Sequence, residues 1–236
     1  MIEALEQLIQ LSHIIGADDS LVQGGGGNIS VKANGQLYIK ASGTPLKDMS
    51  AERGWVALDD SSAVQRPSME WPMHLALTAP WVCHTHSVYL NVFGCLFGDP
   101  ASLAEYTALP YIQPGKQLAE AITQLQPQPS VIILRNHGLL VTGKTADAVL
   151  QLTLTVHQRF ARLLPQLFDP NQVTHQTTRV YFPDAAILTD NRDVMAANSY
   201  IEEMIITLGG QAQPLTQADI TALQNMEEEQ YRQHIQ

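Results

Sequence analysis

A chain of 236 residues with 23 acidic and 13 basic side chains has a formal net charge of −10, which repels phosphate backbones and anionic bilayers; nucleic acid and membrane are not expected partners. With 45% hydrophobic and only 15% charged residues, the composition excludes a disordered chain and supplies a sizeable core, expected as one domain over residues 1–236. Two cysteines, Cys83 and Cys95, are too few for a disulfide framework and read as small buried hydrophobes in a reducing compartment.

The first residues, MIEALEQLIQLSHIIG, lack a basic opening and a small-residue cleavage site, so a cytoplasmic protein is expected. No uncharged apolar run approaches the roughly 18 to 20 residues that span a bilayer. Within that opening, Ile2, Leu5, Leu8, Ile9, Leu11 and Ile15 recur close to the helical period and Gly16 stops the helix. ISVKA and LYIKA flank Asn34-Gly35, a pair that favours the positive φ angles of a tight hairpin. GWVALD adds a short strand, and Trp71 to Thr78 reads as a helix. Pro80 then ends that helix, and WVCHTHS follows as a buried strand. VIILRN and LLVTG are two strands, or one strand bent at Gly138, leading into a helix from about Ala146 to Leu164. RVYF, Arg179 to Phe182, is a further strand at a sheet edge, and a surface helix capped by Thr216 with Asp219 closes the chain. The expected class is α/β, layered: a central, mostly antiparallel sheet covered by helices.

Side chains at i and i+2 of a strand share a face, so His84 and His86 aim together while Cys83 and Thr85 point away. Two such imidazoles either pack or bind one zinc at about 2.0–2.1 Å, and a third, His137, stands in RNHGL where the glycine lets a ligand approach. Three histidines are a usual complement for a catalytic metal with one position left open. Glu70 in PSMEW stands where a loop meets a helix. It is either a first-turn acid favoured by the helix dipole or a metal ligand that also moves a proton. QGGGGNIS leads into a strand and lacks a GK[ST] sequence, so neither the P-loop nor the dinucleotide fingerprint applies. Its glycines, and those of KASGT, make plain turns or an anion nest. His13, His74, His157, His175 and His234 lack such pairing and read as surface or internally satisfied residues, His74 lying one helical turn from Glu70.

GGNIS, SGT, PSMEW, HTH, PY and NHG, in this order, resemble the class II aldolase and adducin family from about Leu5 to Leu164, most closely its zinc-dependent sugar-phosphate aldolases of the L-fuculose-1-phosphate type. The resemblance implies a Zn2+ ion, or another divalent metal, held by His84, His86 and His137, with Glu70 as resting ligand and catalytic acid/base. It implies phosphate binding by Gly27, Asn28, Ser42, Gly43 and Ser68. Tyr111 would donate a proton from a neighbouring subunit of a homotetramer whose active sites lie between subunits. The implied reaction is reversible aldol cleavage of a sugar or sugar phosphate through a zinc-stabilised enediolate. Relatives with the same site decarboxylate 3-oxo sugar acids or dehydrate a sugar phosphate, and adducin heads are non-catalytic scaffolds. Met69 stands where the family tends to have a second small hydroxyl, which removes one phosphate hydrogen bond. Ile112-Gln113-Pro114-Gly115 after Tyr111 also departs from the family pattern.

Overall fold

The computed structural model describes residues 3–98 and 100–235. Among them, seven strands form one sheet: β1 Asn28–Ala33, β2 Gln36–Lys40, β3 Trp55–Ala57, β4 Trp81–Thr85, β5 Thr107–Leu109, β6 Val131–Leu134 and β7 Gly138–Gly143. Their order is β3-β2-β1-β4-β7-β6-β5, antiparallel throughout except where β5 meets β6. The β1–β2 turn is the tight one that its sequence dictates, with φ of 51° at Asn34 and 77° at Gly35. The helices are α1 Glu3–Gly16, α2 Trp71–Ala76, α3 Val88–Gly94, α4 Lys116–Thr123, α5 Ala146–Ala161, α6 Pro183–Ile187, α7 Arg192–Thr207, α8 Gln217–Gln224 and α9 Glu227–Ile235. Helices thus cover a mostly antiparallel sheet, as the sequence leads one to expect.

Alternation along the strands divides the apolar residues between two layers. Cys83 of β4, Ile133 of β6 and Val141 of β7 face a large core filled by α1, α3, α5 and α7. Val82, Ile132 and Leu140 face a smaller core with Met73 of α2 and Leu118 and Ile122 of α4. His84, two residues on from Val82, therefore belongs to the α2 side of the sheet. Cys83 and Cys95 are free and fully buried, as small hydrophobes.

Two expectations need correction. Arg179 to Phe182 form no strand. Instead the Asn198 side chain imitates a neighbouring strand, accepting from the Tyr181 backbone N–H at 2.9 Å and donating to the Arg179 carbonyl at 2.7 Å. A side-chain amide carries both an N–H donor and a carbonyl acceptor, as a strand's backbone does, so it satisfies that backbone without a sheet. The closing surface helix is really two helices, parted at Asn225, and α9 turns Glu229 and Arg232 inward to burial. VIILRN and LLVTG resolve as two antiparallel strands, with Asn136 at φ 54° in the turn between them. The expected elements lack α3, α4, α6, α7 and β5. Every residue of α3 is buried, so it shows no polar face for periodicity to reveal.

Candidate metal centre

Strand register assembles the site. His84 of β4 lies opposite Asn28 of β1 on one side and opposite Leu140 of β7 on the other. His86 follows just past the end of β4, and His137 lies in the β6–β7 turn. A Cβ at Gly138 would fall on the Thr85 carbonyl oxygen, so only glycine lets this turn close against the end of β4 and present His137 there. The Nε2 atoms of His86 and His137 come within 3.1 Å and 3.2 Å of His84 Nε2.

Glu70 is the N-cap residue of α2, but its side chain makes no capping bond. It turns toward the sheet, accepts from Asn28 Nδ2 at 2.7 Å, and lies 3.0 Å from His137 Nε2 and 3.4 Å from His84 Nε2. One ligand atom from each of Glu70, His84, His86 and His137 lies within 4.8 Å of all the others, and all four residues are buried.

This donor set fits a divalent cation. His84 Nδ1 donates to the Leu139 carbonyl at 3.1 Å, and His86 Nδ1 donates to Asp184 Oδ2 at 2.8 Å. With those protons on Nδ1, each ring presents a bare lone pair at Nε2, and the two lone pairs face each other beside a carboxylate. A cation among them relieves that repulsion and takes three nitrogens and one oxygen, a set that zinc accepts. Burial drives His84 well below the usual imidazole range, against the opposing pull of Glu70, so the ring is neutral and able to ligate. Burial alone would raise Glu70, but the imidazoles of His84, His137 and His86 hold it well below the usual carboxylate range.

The residues expected at the phosphate loops, Gly27, Asn28, Ser42, Gly43 and Ser68, line one cavity with Glu70, His86 and His137. Lys40, Asp184, Glu229 and Arg232 also belong to its wall. These four escape a reading of the sequence: Lys40 looks like an ordinary solvent-facing strand position, and the other three stand outside any motif. Lys40 is buried and donates to the Gly25 carbonyl at 2.5 Å and the Thr44 carbonyl at 3.0 Å. The space left among these groups is about 20 Å³, that of a water molecule or an ion.

Tyr111 does not line the cavity within its own chain, although Pro114 of the same loop does. Its hydroxyl is buried with no hydrogen-bond partner among the described residues. Burial, then Asp219, Glu229 and Glu70, raise its pKa, so the phenol stays protonated.

The remaining histidines are satisfied internally. His74 is buried between Ser30 Oγ and Asn28 Oδ1, so that His74, Asn28 and Glu70 form one chain of hydrogen bonds. His157 bridges Ser20 and Ser87, His13 meets the Met49 carbonyl, and His175 pairs with Glu202. The side chain of His234 lies outside the described residues.

Fold and site together define a class II aldolase-type protein. Residues 6–164 match the family described as the Class II Aldolase and Adducin N-terminal domain, and the chain belongs to that family. It is 29% identical to a 3-oxo-tetronate 4-phosphate decarboxylase of Haemophilus influenzae over 51% of this chain and 68% of that protein. It is 28% identical to an L-fuculose phosphate aldolase of Methanococcus maripaludis over 59% of this chain and 84% of that protein. A 24% match to the uncharacterized oxidoreductase YuxG of Bacillus subtilis covers 72% of this chain but only 31% of that longer protein. Among solved structures, a class II aldolase domain from Thermoplasma acidophilum has the same fold, with a TM-score of 0.61 at 24% identity over 69% of this chain and 94% of that one.

Proposed function

We propose that the protein is a metal-dependent lyase that performs reversible aldol cleavage of a sugar or sugar phosphate. One observation carries the reading: three Nε2 atoms and the Glu70 carboxylate converge in one buried cluster. His84, His86, His137 and Glu70 would hold zinc or another divalent metal. Bound there, it would supply Lewis-acid stabilisation of the negative charge that develops on a substrate oxygen when the carbon-carbon bond breaks. Asn28 holds Glu70 at 2.7 Å, so that the carboxylate can carry the proton that leaves or joins the reacting carbon. The protonated Tyr111 phenol gives its proton to the aldehyde oxygen in the synthetic direction and receives it back in cleavage. The resemblance to the sugar-phosphate aldolases assigns this role to the tyrosine of a neighbouring subunit in a homotetramer; within its own chain Tyr111 does not line the cavity.

Gly27, Asn28, Ser42, Gly43 and Ser68 form the end of the cavity that takes the substrate's phosphate or other anionic group, helped by Lys40. Decarboxylation of a 3-oxo sugar acid is the second reading, favoured by the similarity to the tetronate decarboxylase. Both reactions leave an electron pair next to a carbonyl and need the same metal and acid. A non-catalytic scaffold would have no use for the converging ligand atoms. We read residues 1–236 as one domain, since α7, beyond the matched region, shares the large core. No helix among the described residues is long and apolar enough to cross a membrane, and the composition suits a cytoplasmic protein.

The deciding experiment incubates metal-loaded protein with ketose 1-phosphates, free ketoses and 3-oxo sugar acids. Aldehyde release supports the aldolase reading, carbon dioxide release the decarboxylase reading, and the release of neither overturns both.

A further inference from the structure

His84 is fixed by the β4 ladder and by the Leu139 carbonyl, but His86 stands past the end of the strand with no such frame. What orients its ring is a carboxylate brought from far along the chain: Asp184 of α6, 1% exposed. Both Asp184 oxygens are engaged. Oδ2 accepts from His86 Nδ1 at 2.8 Å, and Oδ1 pairs with Arg232 Nη2 at 2.5 Å. Arg232 in turn belongs to α9 and lies 3.5 Å from Glu229 Oε2 through its Nη1.

The glycine run supplies a separate observation. A Cβ at Gly26 would overlap Asp184 Oδ2 and sit 2.8 Å from His86 Nδ1. The backbone of QGGGGNIS thus passes directly over this hydrogen bond, and any side chain at position 26 would push the pair apart. Gly26 makes room for the contact, which accounts for a glycine where no positive φ demands one.

Resting on the metal reading given above, we propose that Asp184, clamped by Arg232, is a positioning residue for the metal site. By accepting the Nδ1 proton of His86 it aims Nε2 at the cation, and so sets how tightly the metal binds. A carboxylate behind a ligating imidazole fixes the ring's tautomer and raises the basicity of the ligating nitrogen. Both Asp184 and Arg232 lie outside residues 6–164, so the C-terminal part of the chain tunes a site whose ligands belong to the matched region.

Zinc affinity, read by competition with a chromophoric chelator on purified apoprotein, tests this without reference to turnover. Wild type should take up one zinc per chain. Asp184→Ala should bind zinc about 10- to 100-fold more weakly, Gly26→Ala should lose affinity in the same range, and Asp184→Asn, which keeps an acceptor oxygen, should recover part of the loss. Zinc affinity unchanged in Asp184→Ala overturns the proposal and leaves the metal site standing. A wild-type chain that binds no zinc removes instead the metal reading itself. Should Asp184→Ala fail to fold, the zinc-loaded wild type still decides. The His86 Nδ1 proton, assigned by its loss in His86→Gln, should appear as a downfield, slowly exchanging resonance, and its rapid exchange with water contradicts the bond to Asp184.

Discussion

Glu70 and His84 are adjacent in space, but their roles separate cleanly under mutation. His84→Ala removes a nitrogen at the centre of the cluster, with Nε2 partners on both sides, and should strip most of the metal together with the activity. Elemental analysis showing full metal in that variant would contradict the ligand set. Glu70→Gln keeps an oxygen ligand and should retain metal, yet lose turnover by about 10² to 10⁴, the range of a general acid/base; undiminished turnover would make the glutamate structural. Lys40 carries a pH signature. Burial, reinforced by Arg232, lowers it to about 7 against the opposing pull of Asp184, Glu70 and Glu229. Below that value both folded and unfolded chains hold the proton and the fold bears the full cost of a buried cation. Between about 7 and 10.5 the unfolded chain binds more protons, so this group's contribution to stability rises with pH. Denaturant melts should show the stability difference between wild type and Lys40→Met shifting toward wild type across that window, and a flat difference would mean an ordinary lysine. At this scale the three histidines and Glu70 could be read from the sequence because HTH, NHG and PSMEW are local patterns. Lys40, Asp184 and Arg232 could not, since a charged residue reads as solvent-facing until its surroundings are known.

Among the elements, β4 and the β1–β2 hairpin follow directly from local chemistry: a short β-branched and aromatic run after Pro80, and an Asn-Gly turn. The final helix does not. Its acidic opening, Glu227 to Glu229, reads as solvated surface, yet packing turns Glu229 and Arg232 into the wall of the cavity. About 20 Å³ is free within the cavity and α9 forms part of its wall, so the prediction at this scale is that α9 moves outward to admit a sugar. Backbone hydrogen exchange should therefore be faster in α9 than in α7, which is built into the large core, and should change in α9 when a substrate analogue binds. Equal protection of the two helices would mean that substrate enters by another route.

For the whole molecule, the reading that Tyr111 serves a neighbouring subunit has a direct consequence. Tyr111→Phe and His84→Ala should each be inactive alone, while hybrids made by unfolding and refolding the two together should recover part of the activity, because some sites then combine an intact metal set with an intact tyrosine. Hybrids as inactive as their parents would place the tyrosine and the metal in the same chain's site. By itself, the sequence determined the layered, mostly antiparallel fold, the two-sided strands and the histidines and glutamate that cluster in the candidate site, since these rest on period, turn chemistry and short motifs. The tertiary structure alone decided that Asn198 would stand in for a strand, that α9 would line the cavity and that Asp184 would stand behind His86. The Asn198 contacts span 17 and 19 positions and those of Asp184 span 48 and 98, and such contacts are set by how layers pack, which no local pattern encodes.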